Sequence, residues 1–358
     1  RDRDRNRDRD RDRDRDRKAV FARLAAAEAW AHAGCDDRDR HAPLVIALGL
    51  EEAFLDDFAP LVLPDRLAWE HAAAAAGDRS LAFRAPVDTA ARAVRHALGL
   101  RGATMIDVSA CAAGALAIAR AAQLITRGRA DIVVCGGADS MVNPLGLGGM
   151  ARLGAPSPRA AADACRPFDR DRDGLAIGEG AAMFVVEHVD RARARGAKPL
   201  ATIAGWGATQ DAYRATAPRP DGSAAAAAIA AALARANLAP ADIGYVNAHG
   251  TGTPLNDPAE AAALATVFGP ALARTPVSSI KGAIGHLMAA AGAVELAACV
   301  VALTDDVLPG TAHHRHLDPA CPLDVIGPTP RRAAVEHTLS NSFGFGGHNA
   351  AVVLRRAP

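Results

Sequence analysis

The sequence predicts an α/β protein in which parallel strands alternate with helical crossovers. Short apolar runs bounded by glycine alternate with longer Ala-rich runs, and the order strand, helix, strand recurs along the chain. Half of the 358 residues are apolar, which is enough material for one large domain or two small ones. The segments that begin at residues 104 and 275 share one plan, a short strand, a loop and a small-residue helix, which favours an internal duplication.

The elements can be assigned in order from residue 18. A helix that ends at Gly34 leads to a buried strand over 42–50. A β-rich run over 103–108 precedes an Ala-rich helix, and a fully apolar strand over 130–139 follows it. The later elements are a strand over 178–188, a charged helix over 189–197, a strand over 199–209, a helix over 223–239, a strand over 243–250 and a helix over 256–269 capped by Asn256 or Asp257.

The first 17 residues alternate Arg with Asp or Asn and contain nothing apolar to bury. Such a tract is typical of a disordered, solvated arm, so no chemistry is assigned to it. The predicted organisation is therefore a charged tail over 1–18, a first half over 19–190 and a second half over 191–358.

Composition excludes several classes of partner. The net charge is +1 and basic residues lie among acidic ones, so no nucleic-acid surface is expected. Six cysteines without a CxxC pair indicate a reduced, intracellular protein. No signal peptide is recognised, and the longest apolar run, 287–303, contains Glu295. We expect a cytoplasmic protein without a membrane span.

Three motifs could suggest a cofactor or metal site, but each is better explained as an ordinary loop or turn. GLGGMA over 146–151 fits a relaxed dinucleotide fingerprint but does not directly follow a strand, so no nicotinamide site is expected. The histidines of HHRH over 313–316 cannot all face one metal ion. DRDGLAIGEG over 171–180 lacks the terminal glutamate of a calcium loop. We expect no metal.

Cys111 is the most informative residue, because it lies where a β-rich run ends and a helical run begins. A helix N-terminus favours the thiolate and can lower a cysteine pKa from about 8.5 toward or below neutrality. The alternative is a packed, inert thiol, which is our interpretation of the other five cysteines. Cys111 is therefore a candidate nucleophile.

Two further segments favour covalent acyl chemistry at Cys111. His249 follows a strand-like run, and Lys281 and His286 precede a second small-residue helix. In the C-terminal segment 340–354, glycines surround Phe345 and permit close backbone approach. That segment is either a glycine bulge that enters the last strand or a backbone donor with a mobile aromatic ring.

Four segments, SACAAG, NAHGTGTPLND, KGAIGHLMAAAGAVE and NSFGFGGHN, together resemble the β-ketoacyl-acyl-carrier-protein synthases. The resemblance runs from about residue 86 to the C-terminus and is greatest to the elongating type with two histidines. It implies the thiolase-like five-layered αβαβα fold built from two duplicated halves. It also implies acyl transfer to Cys111 and decarboxylative condensation with a malonyl carrier protein, in fatty-acid or polyketide synthesis.

The resemblance also implies roles for individual residues. His249 and His286 would stand beside the malonyl thioester, with Lys281 and Glu295 near the second histidine, as catalytic groups or as an ion pair that closes the core. Backbone N–H groups of Cys111 and Phe345 would form the oxyanion hole. The substrate-binding residues would be Thr251, Thr253, Met150 and Phe345, the last as a gate.

Partners follow from the same resemblance. The substrates would arrive on the phosphopantetheine of an acyl carrier protein, and no other cofactor is implied. A homodimer is expected, and a heterodimer is the alternative. The competing function is a non-catalytic subunit that sets chain length, although such subunits usually lack the nucleophile. The chain departs from the family at its start, where a first strand of the form VVVTGxG is absent and would leave a sheet edge unpaired, and over 51–84, which differs from the usual dimer-contact region.

Overall fold

A computed structural model of the chain describes residues 16–49 and 88–357. The region 51–84 and most of the tail predicted over 1–18 therefore lie outside the described residues. The last residues of that tail were assigned wrongly, because Arg17 and Lys18 belong to the first helix. Asp16 accepts the Lys18 N–H as a helix cap, and the Lys18 side chain is buried and donates to the carbonyl of Gly49 at 3.4 Å.

Helices and strands alternate as the sequence predicts. The helices are α1 (Arg17–His32), α2 (Thr89–Leu98), α3 (Ala113–Thr126), α4 (Pro144–Arg152), α5 (Val189–Ala194), α6 (Ser223–Ala236), α7 (Asn256–Phe268), α8 (Lys281–Ile284) and α9 (Ala291–Asp305). The strands are β1 (Leu44–Leu48), β2 (Thr104–Asp107), β3 (Ile132–Ser140), β4 (Glu179–Glu187), β5 (Ala201–Gln210), β6 (Tyr245–Asn247), β7 (Pro276–Ser278), β8 (Val307–Leu308), β9 (Asp324–Val325), β10 (Arg331–Arg332), β11 (His337–Gly344) and β12 (His348–Arg356).

The strands form two main sheets. The first has the order β2-β1-β3-β4, in which β1 is parallel to β2 and β3, and β4 is antiparallel to β3. The second has the order β5-β12-β11-β6-β7-β9, with β12 antiparallel to both of its neighbours. The expected parallel pairing holds for the remaining pairs of the second sheet. β12 is antiparallel because only the short turn Phe345–Gly347 joins it to β11.

Helices cover both faces of each sheet in five layers. α1 packs on α2 and on β3 and β4, while α6 packs on α7 and on β5 and β12. α3 and α9 lie between the sheets, where they share a core with residues of both sheets such as Cys135 and Val352. This is the αβαβα arrangement that the resemblance implied.

The two sheets also show the duplication. Strands β12, β11, β6 and β7 of the second sheet correspond in order and direction to β4, β3, β1 and β2 of the first. No described strand takes the position beside β4 that β5 takes beside β12. Eight of the nine β4 residues are only half-buried, whereas six of the nine β12 residues are buried. Among the described residues β4 therefore pairs with β3 alone and forms an edge of its sheet.

The stretch Met288–Asp305 is long and apolar enough to cross a membrane by length and composition. However, 61% of this stretch is buried inside the fold, where α9 lies in the central layer. Its apolar character is therefore what a core helix between two sheets requires.

The two central helices, α3 and α9, contact each other at glycine residues. A Cβ atom on Gly114 would lie 2.6 Å from the backbone nitrogen of Ala293, and one on Gly292 would lie 2.7 Å from that of Ala115. Because both atoms belong to backbone, neither clash can be relieved by a rotamer change. The paired glycines therefore allow the two helix starts, and the loops that precede them, to approach each other.

We expect Gly114→Ala to lower the free energy of unfolding by about 1–3 kcal/mol through overpacking. Urea denaturation measured by circular dichroism would show this loss. Gly148→Ala is the matched control, because no atom lies within 4 Å of the added Cβ in helix α4, and about 0.5–1 kcal/mol of stabilisation is expected from helix propensity. Equal effects of the two substitutions would contradict the close helix contact.

Candidate active site

A strained turn holds Cys111 at the start of the α3 segment. Asp107 ends β2 and accepts the Ser109 N–H at 2.9 Å, and Ala110 then takes a positive φ of 48°. A left-handed alanine costs free energy and persists only where the surrounding structure requires it. The turn places Cys111 in the short 3-10 segment Ala110–Ala112, where its side chain is 7% exposed.

The expectation that the helix start lowers the Cys111 pKa was wrong. Burial raises the pKa of the thiol to about 12, and it outweighs the opposing effects of the Lys281 charge and of the Phe345 backbone N–H. At this depth, the free-energy cost of removing a thiolate from water exceeds the stabilisation that a helix N-terminus provides. At neutral pH this raised pKa favours the thiol form of Cys111 over the thiolate.

The raised pKa predicts the pH dependence of alkylation. Because the thiolate is the nucleophile, the rate of iodoacetamide labelling at Cys111 is expected to rise about tenfold per pH unit between pH 7 and 10. Peptide mass spectrometry of labelled protein gives this rate separately from that of Cys35. A rate that levels off near pH 7 would show instead a thiolate stabilised at neutral pH.

His249 follows β6, and its ring is buried between charged and aromatic neighbours. The Lys281 Nζ atom lies 3.3 Å from His249 Nδ1 and donates to the His249 carbonyl at 2.6 Å. The Phe343 ring lies 5.7 Å away, centroid to centroid. Because the ammonium group donates to Nδ1, the ring hydrogen of neutral His249 is placed on Nε2.

His286 is held in the same tautomer by a different donor. The Met288 backbone N–H donates to His286 Nδ1 at 3.2 Å, so the ring hydrogen again belongs on Nε2. The His286 and His249 rings meet edge to face, with centroids 5.3 Å apart. Burial, and then the nearby Lys281 charge, hold the pKa of both imidazoles well below its ordinary value. Both rings are therefore neutral N–H donors.

Lys281 and Glu295 form a buried ion pair. Glu295 also accepts from the Ser342 hydroxyl at 3.4 Å, which ties α9 to β11. The sequence left open whether the two residues close the core or serve the site. The structure shows both contacts at once, because the same ammonium group bonds Glu295 and the His249 ring.

The glycine-rich turn after β11 brings its backbone to Cys111. A Cβ on Gly344 would lie 3.1 Å from the Cys111 nitrogen, and the Phe345 backbone N–H acts to lower the pKa of the Cys111 thiol. Gly346 and Gly347 have φ values of 82° and 79°, which only glycine adopts without cost. The backbone of this turn therefore lies against the turn that holds Cys111.

Thr251 and Thr253 lie on the loop before α7, with their hydroxyls 2.8 Å apart. Asp257 holds this loop by accepting N–H groups from Thr251 and Gly252. The expectation that Asn256 or Asp257 caps α7 was wrong, because the helix begins at Asn256 and Leu255 is the capping residue. Asp257 is fully buried and faces the preceding loop instead.

Sequence reasoning missed Glu260, which lies one helical turn after Asp257. Its carboxylate accepts the His249 and Gly250 N–H groups at 2.9 and 2.8 Å and the Asn341 amide at 3.1 Å. Burial raises its pKa to about 7 despite these donors. A buried acid in an Ala-rich helix was the available signal, because such a residue needs partners.

Met150 lies with Cys111 in one buried cluster. The side chains of this cluster are Cys111, Met141, Met150, Leu175 and Met288, with Ala155, Ile177 and Phe345 packed against it. Met150 and Phe345 thus pack in the same cluster as Cys111.

No group of three His, Cys, Asp or Glu side chains within residues 16–49 and 88–357 is arranged to hold a metal ion. The HHRH segment is a structural loop instead. The backbone N–H groups of Arg315 and His316 both donate to Asp169, at 2.6 and 2.8 Å.

Comparison with known proteins places the chain in a family. The family described as "Beta-ketoacyl synthase, N-terminal domain" matches residues 5–192, and "Beta-ketoacyl synthase, C-terminal domain" matches residues 200–315. The chain is 44% identical over 265 residues to 3-oxoacyl-[acyl-carrier-protein] synthase 2 of Mycobacterium tuberculosis, a match that covers 73% of this chain and 62% of the relative. The corresponding protein of Synechocystis is 42% identical over 72% of this chain and 63% of the relative. The matches thus span less than two-thirds of these curated relatives.

Solved structures show the same fold. A β-ketoacyl synthase from Burkholderia phymatum superimposes with a TM-score of 0.85 at 32% identity, over 96% of this chain and 83% of that one. A type II PKS ketosynthase in complex with its acyl-carrier protein gives 0.86 at 29% identity, over 95% and 85%. The ishigamide ketosynthase/chain length factor gives 0.83 at 34% identity, over 96% and 82%. With its thiolase-like architecture and a family match over more than half of its length, the chain belongs to the beta-ketoacyl synthases.

Proposed function

We propose that the chain is an elongating 3-oxoacyl-acyl-carrier-protein synthase, an acyltransferase that condenses an acyl group with a malonyl unit. The observation that supports this proposal is the pair of neutral imidazoles, His249 and His286, held as Nε2–H donors, together with Met288, which donates to His286 and packs in the same cluster as Cys111. Two fixed donors suit an oxygen that gains negative charge during reaction.

In the first step Cys111 takes the acyl group from its carrier. The sulfur attacks the thioester carbon, the bond to the phosphopantetheine sulfur breaks, and the proton of Cys111 leaves with the carrier thiol. Backbone N–H groups of Cys111 and Phe345 would bind the oxyanion that forms, which the close approach of the Gly344 and Cys111 backbones supports. Because Cys111 starts as a thiol, its proton transfers while the sulfur attacks and does not leave beforehand.

In the second step a malonyl carrier protein binds beside the acylated cysteine. The bond to its carboxylate breaks, CO2 leaves, and the enolate oxygen accepts the two Nε2–H groups. The enolate carbon attacks the acyl carbon, and the Cys111 sulfur leaves as thiolate and takes up a proton from water. The 3-oxoacyl product is two carbons longer. Thr251 and Thr253, which lie on the loop after His249, would bind the pantetheine arm or the malonyl group. No other cofactor is needed.

Substitution of either histidine tests the second step. We expect His249→Ala or His286→Ala to slow decarboxylative condensation by about 10²–10³-fold, since each removes one donor to the developing charge. Acyl transfer to Cys111 should be slowed less, because the backbone donors remain. Single-turnover assays with each carrier separate the two steps. Equal losses in both would assign the histidines to the first step as well.

We propose a homodimer through the edge of the first sheet, with a heterodimer as the alternative. β2 pairs only with β1 among the described residues, and its Met105 and the following Val108 are 36% and 48% exposed. Exposed apolar side chains on an edge strand favour pairing with another strand. Light scattering of the purified protein gives its mass in solution. We also propose that the chain acts in the cytoplasm.

The decisive experiment is intact-protein mass spectrometry. Purified protein is mixed with acyl carrier protein that bears chains of graded length, and then with malonyl carrier protein. An acyl adduct at Cys111 that disappears as 3-oxoacyl carrier forms supports the synthase. A chain that gives no adduct with any carrier is instead the non-catalytic chain-length subunit.

A further inference from the structure

Asp139 is a buried acid near the carboxyl end of strand β3. Its side chain is 1% exposed, although burial of a carboxyl group is costly unless hydrogen-bond donors surround it. One of its oxygens accepts the Ser140 N–H at 2.8 Å, and the other accepts the Ala289 N–H at 2.9 Å. The second bond joins the first sheet to the turn that follows His286.

The turn that Asp139 holds also holds His286. The Met288 N–H donates to His286 Nδ1, and the next N–H along the chain, that of Ala289, donates to Asp139. The end of β3 lies against this turn, because a Cβ on Gly137 would lie 3.1 Å from the Ala289 carbonyl oxygen. Two consecutive N–H groups therefore link the histidine to the acid.

Met288 has a backbone conformation that needs support. Its φ is 47°, in the left-handed region that a residue other than glycine adopts only at a cost in free energy. Such a conformation persists where the surrounding structure holds it. The bond from Ala289 to Asp139 follows Met288 directly and opposes relaxation of this φ. Loss of that bond would allow the Met288 N–H to leave His286 Nδ1.

Asp139 also lies near the nucleophile. Burial is the main cause of the raised pKa of the Cys111 thiol, and the Asp139 charge adds to it against the Lys281 charge. Met288 packs in the same cluster as Cys111. The carboxyl group thus lies close both to the reactive sulfur and to the turn after His286.

We propose that Asp139 is a positioning residue for the condensation step, which fixes the turn at Met288 and Ala289 and thereby keeps His286 as an Nε2–H donor. This inference rests on the proposed function and adds a residue to it. Asp139 exchanges no proton and does not touch substrate. Its contribution is the orientation of the imidazole that meets the enolate oxygen.

Three substitutions at Asp139 test this role. Asp139→Ala and Asp139→Leu both remove the acceptor, and Asp139→Leu does so at similar volume. We expect either variant to slow single-turnover condensation by about 10–10²-fold, less than loss of the imidazole itself, and acyl transfer to Cys111 by less than about threefold. Asp139→Asn keeps an acceptor oxygen and should hold condensation within about threefold of the wild type.

Nitrogen-15 NMR of the histidine rings gives a readout that a merely structural role would not move. The ring shifts show which nitrogen carries the hydrogen, and comparison with the His286→Ala spectrum identifies the His286 signals. The wild type should carry the His286 hydrogen on Nε2 alone. Asp139→Ala and Asp139→Leu should show a second tautomer, and Asp139→Asn should not.

Asp169→Ala is the matched control. Asp169 is equally buried and likewise accepts backbone N–H groups, those of Arg315 and His316, but it holds a different loop. Its loss should destabilise the protein in a similar way. It should change neither the His286 tautomer nor the ratio of the condensation and acyl-transfer rates.

The outcomes separate the role of Asp139 from the proposed function. Equal slowing of both steps by Asp139→Ala and Asp139→Leu, or an unchanged His286 tautomer in them, would overturn the role of Asp139. So would a wild-type ring with its hydrogen on Nδ1. If the wild type forms no adduct at Cys111, the proposed function fails, whereas the tautomer is measured without substrate and still tests the action of Asp139 on His286.

Discussion

The Cys111→Ala variant is expected to form no acyl-enzyme and to lose at least about 10⁴-fold in condensation rate. Removal of a nucleophile eliminates the covalent intermediate, and the remaining binding groups and oxyanion donors supply only a small part of the rate. Stability should change little, because the substitution removes only one sulfur atom from a small side chain. Intact mass spectrometry and the rate of 3-oxoacyl carrier formation measure both effects.

Cys35→Ala serves as the control. Cys35 is more exposed than Cys111, and burial together with Asp39 raises its pKa to about 11. If exposure alone decided acylation, Cys35 would carry the acyl group and its loss would matter. We expect Cys35→Ala to keep the wild-type rate. A Cys111→Ala variant that still condenses would exclude covalent catalysis at this position.

Cys111, His249 and His286 could be singled out as candidates from the sequence because each has a recognisable local setting. Each lies where an apolar run meets small residues, and that junction can be read from neighbours in the chain. Dependence on local pattern also explains why the predicted lowering of the Cys111 pKa was wrong. Cys111 is buried by Met141, Met150 and Met288, which are 30 to 177 residues away in the sequence, and no local pattern reports that packing.

The sequence also did not reveal which groups Asp257 and Glu260 accept hydrogen bonds from. Asp257 and Glu260 resemble an ordinary first turn of a helix, yet both turn back to hold the loop from His249 to Gly252. Their role depends on the angle at which α7 leaves that loop, which is a tertiary property. In contrast, Glu295 was conspicuous in its apolar run, because a buried carboxylate requires a partner.

Lys281→Ala is expected to destabilise the protein by about 3–5 kcal/mol, because it leaves the buried Glu295 carboxylate without its cation. Condensation should also slow, since His249 Nδ1 loses the donor that fixes its tautomer. Chemical denaturation and single-turnover condensation measure the two losses separately. Arg331→Ala is the control for stability, because it breaks the exposed pair with Asp324 and should cost at most about 1 kcal/mol.

The double variant Lys281→Met/Glu295→Leu separates the structural role of the pair from its role at His249. Replacement of both charges by apolar side chains of similar size should recover most of the lost stability, since no buried charge is left alone. It should not recover the rate, because methionine cannot donate to His249 Nδ1. Recovery of both would make the ion pair purely structural. Recovery of stability alone would show that Lys281 is retained to hold the imidazole as an N–H donor.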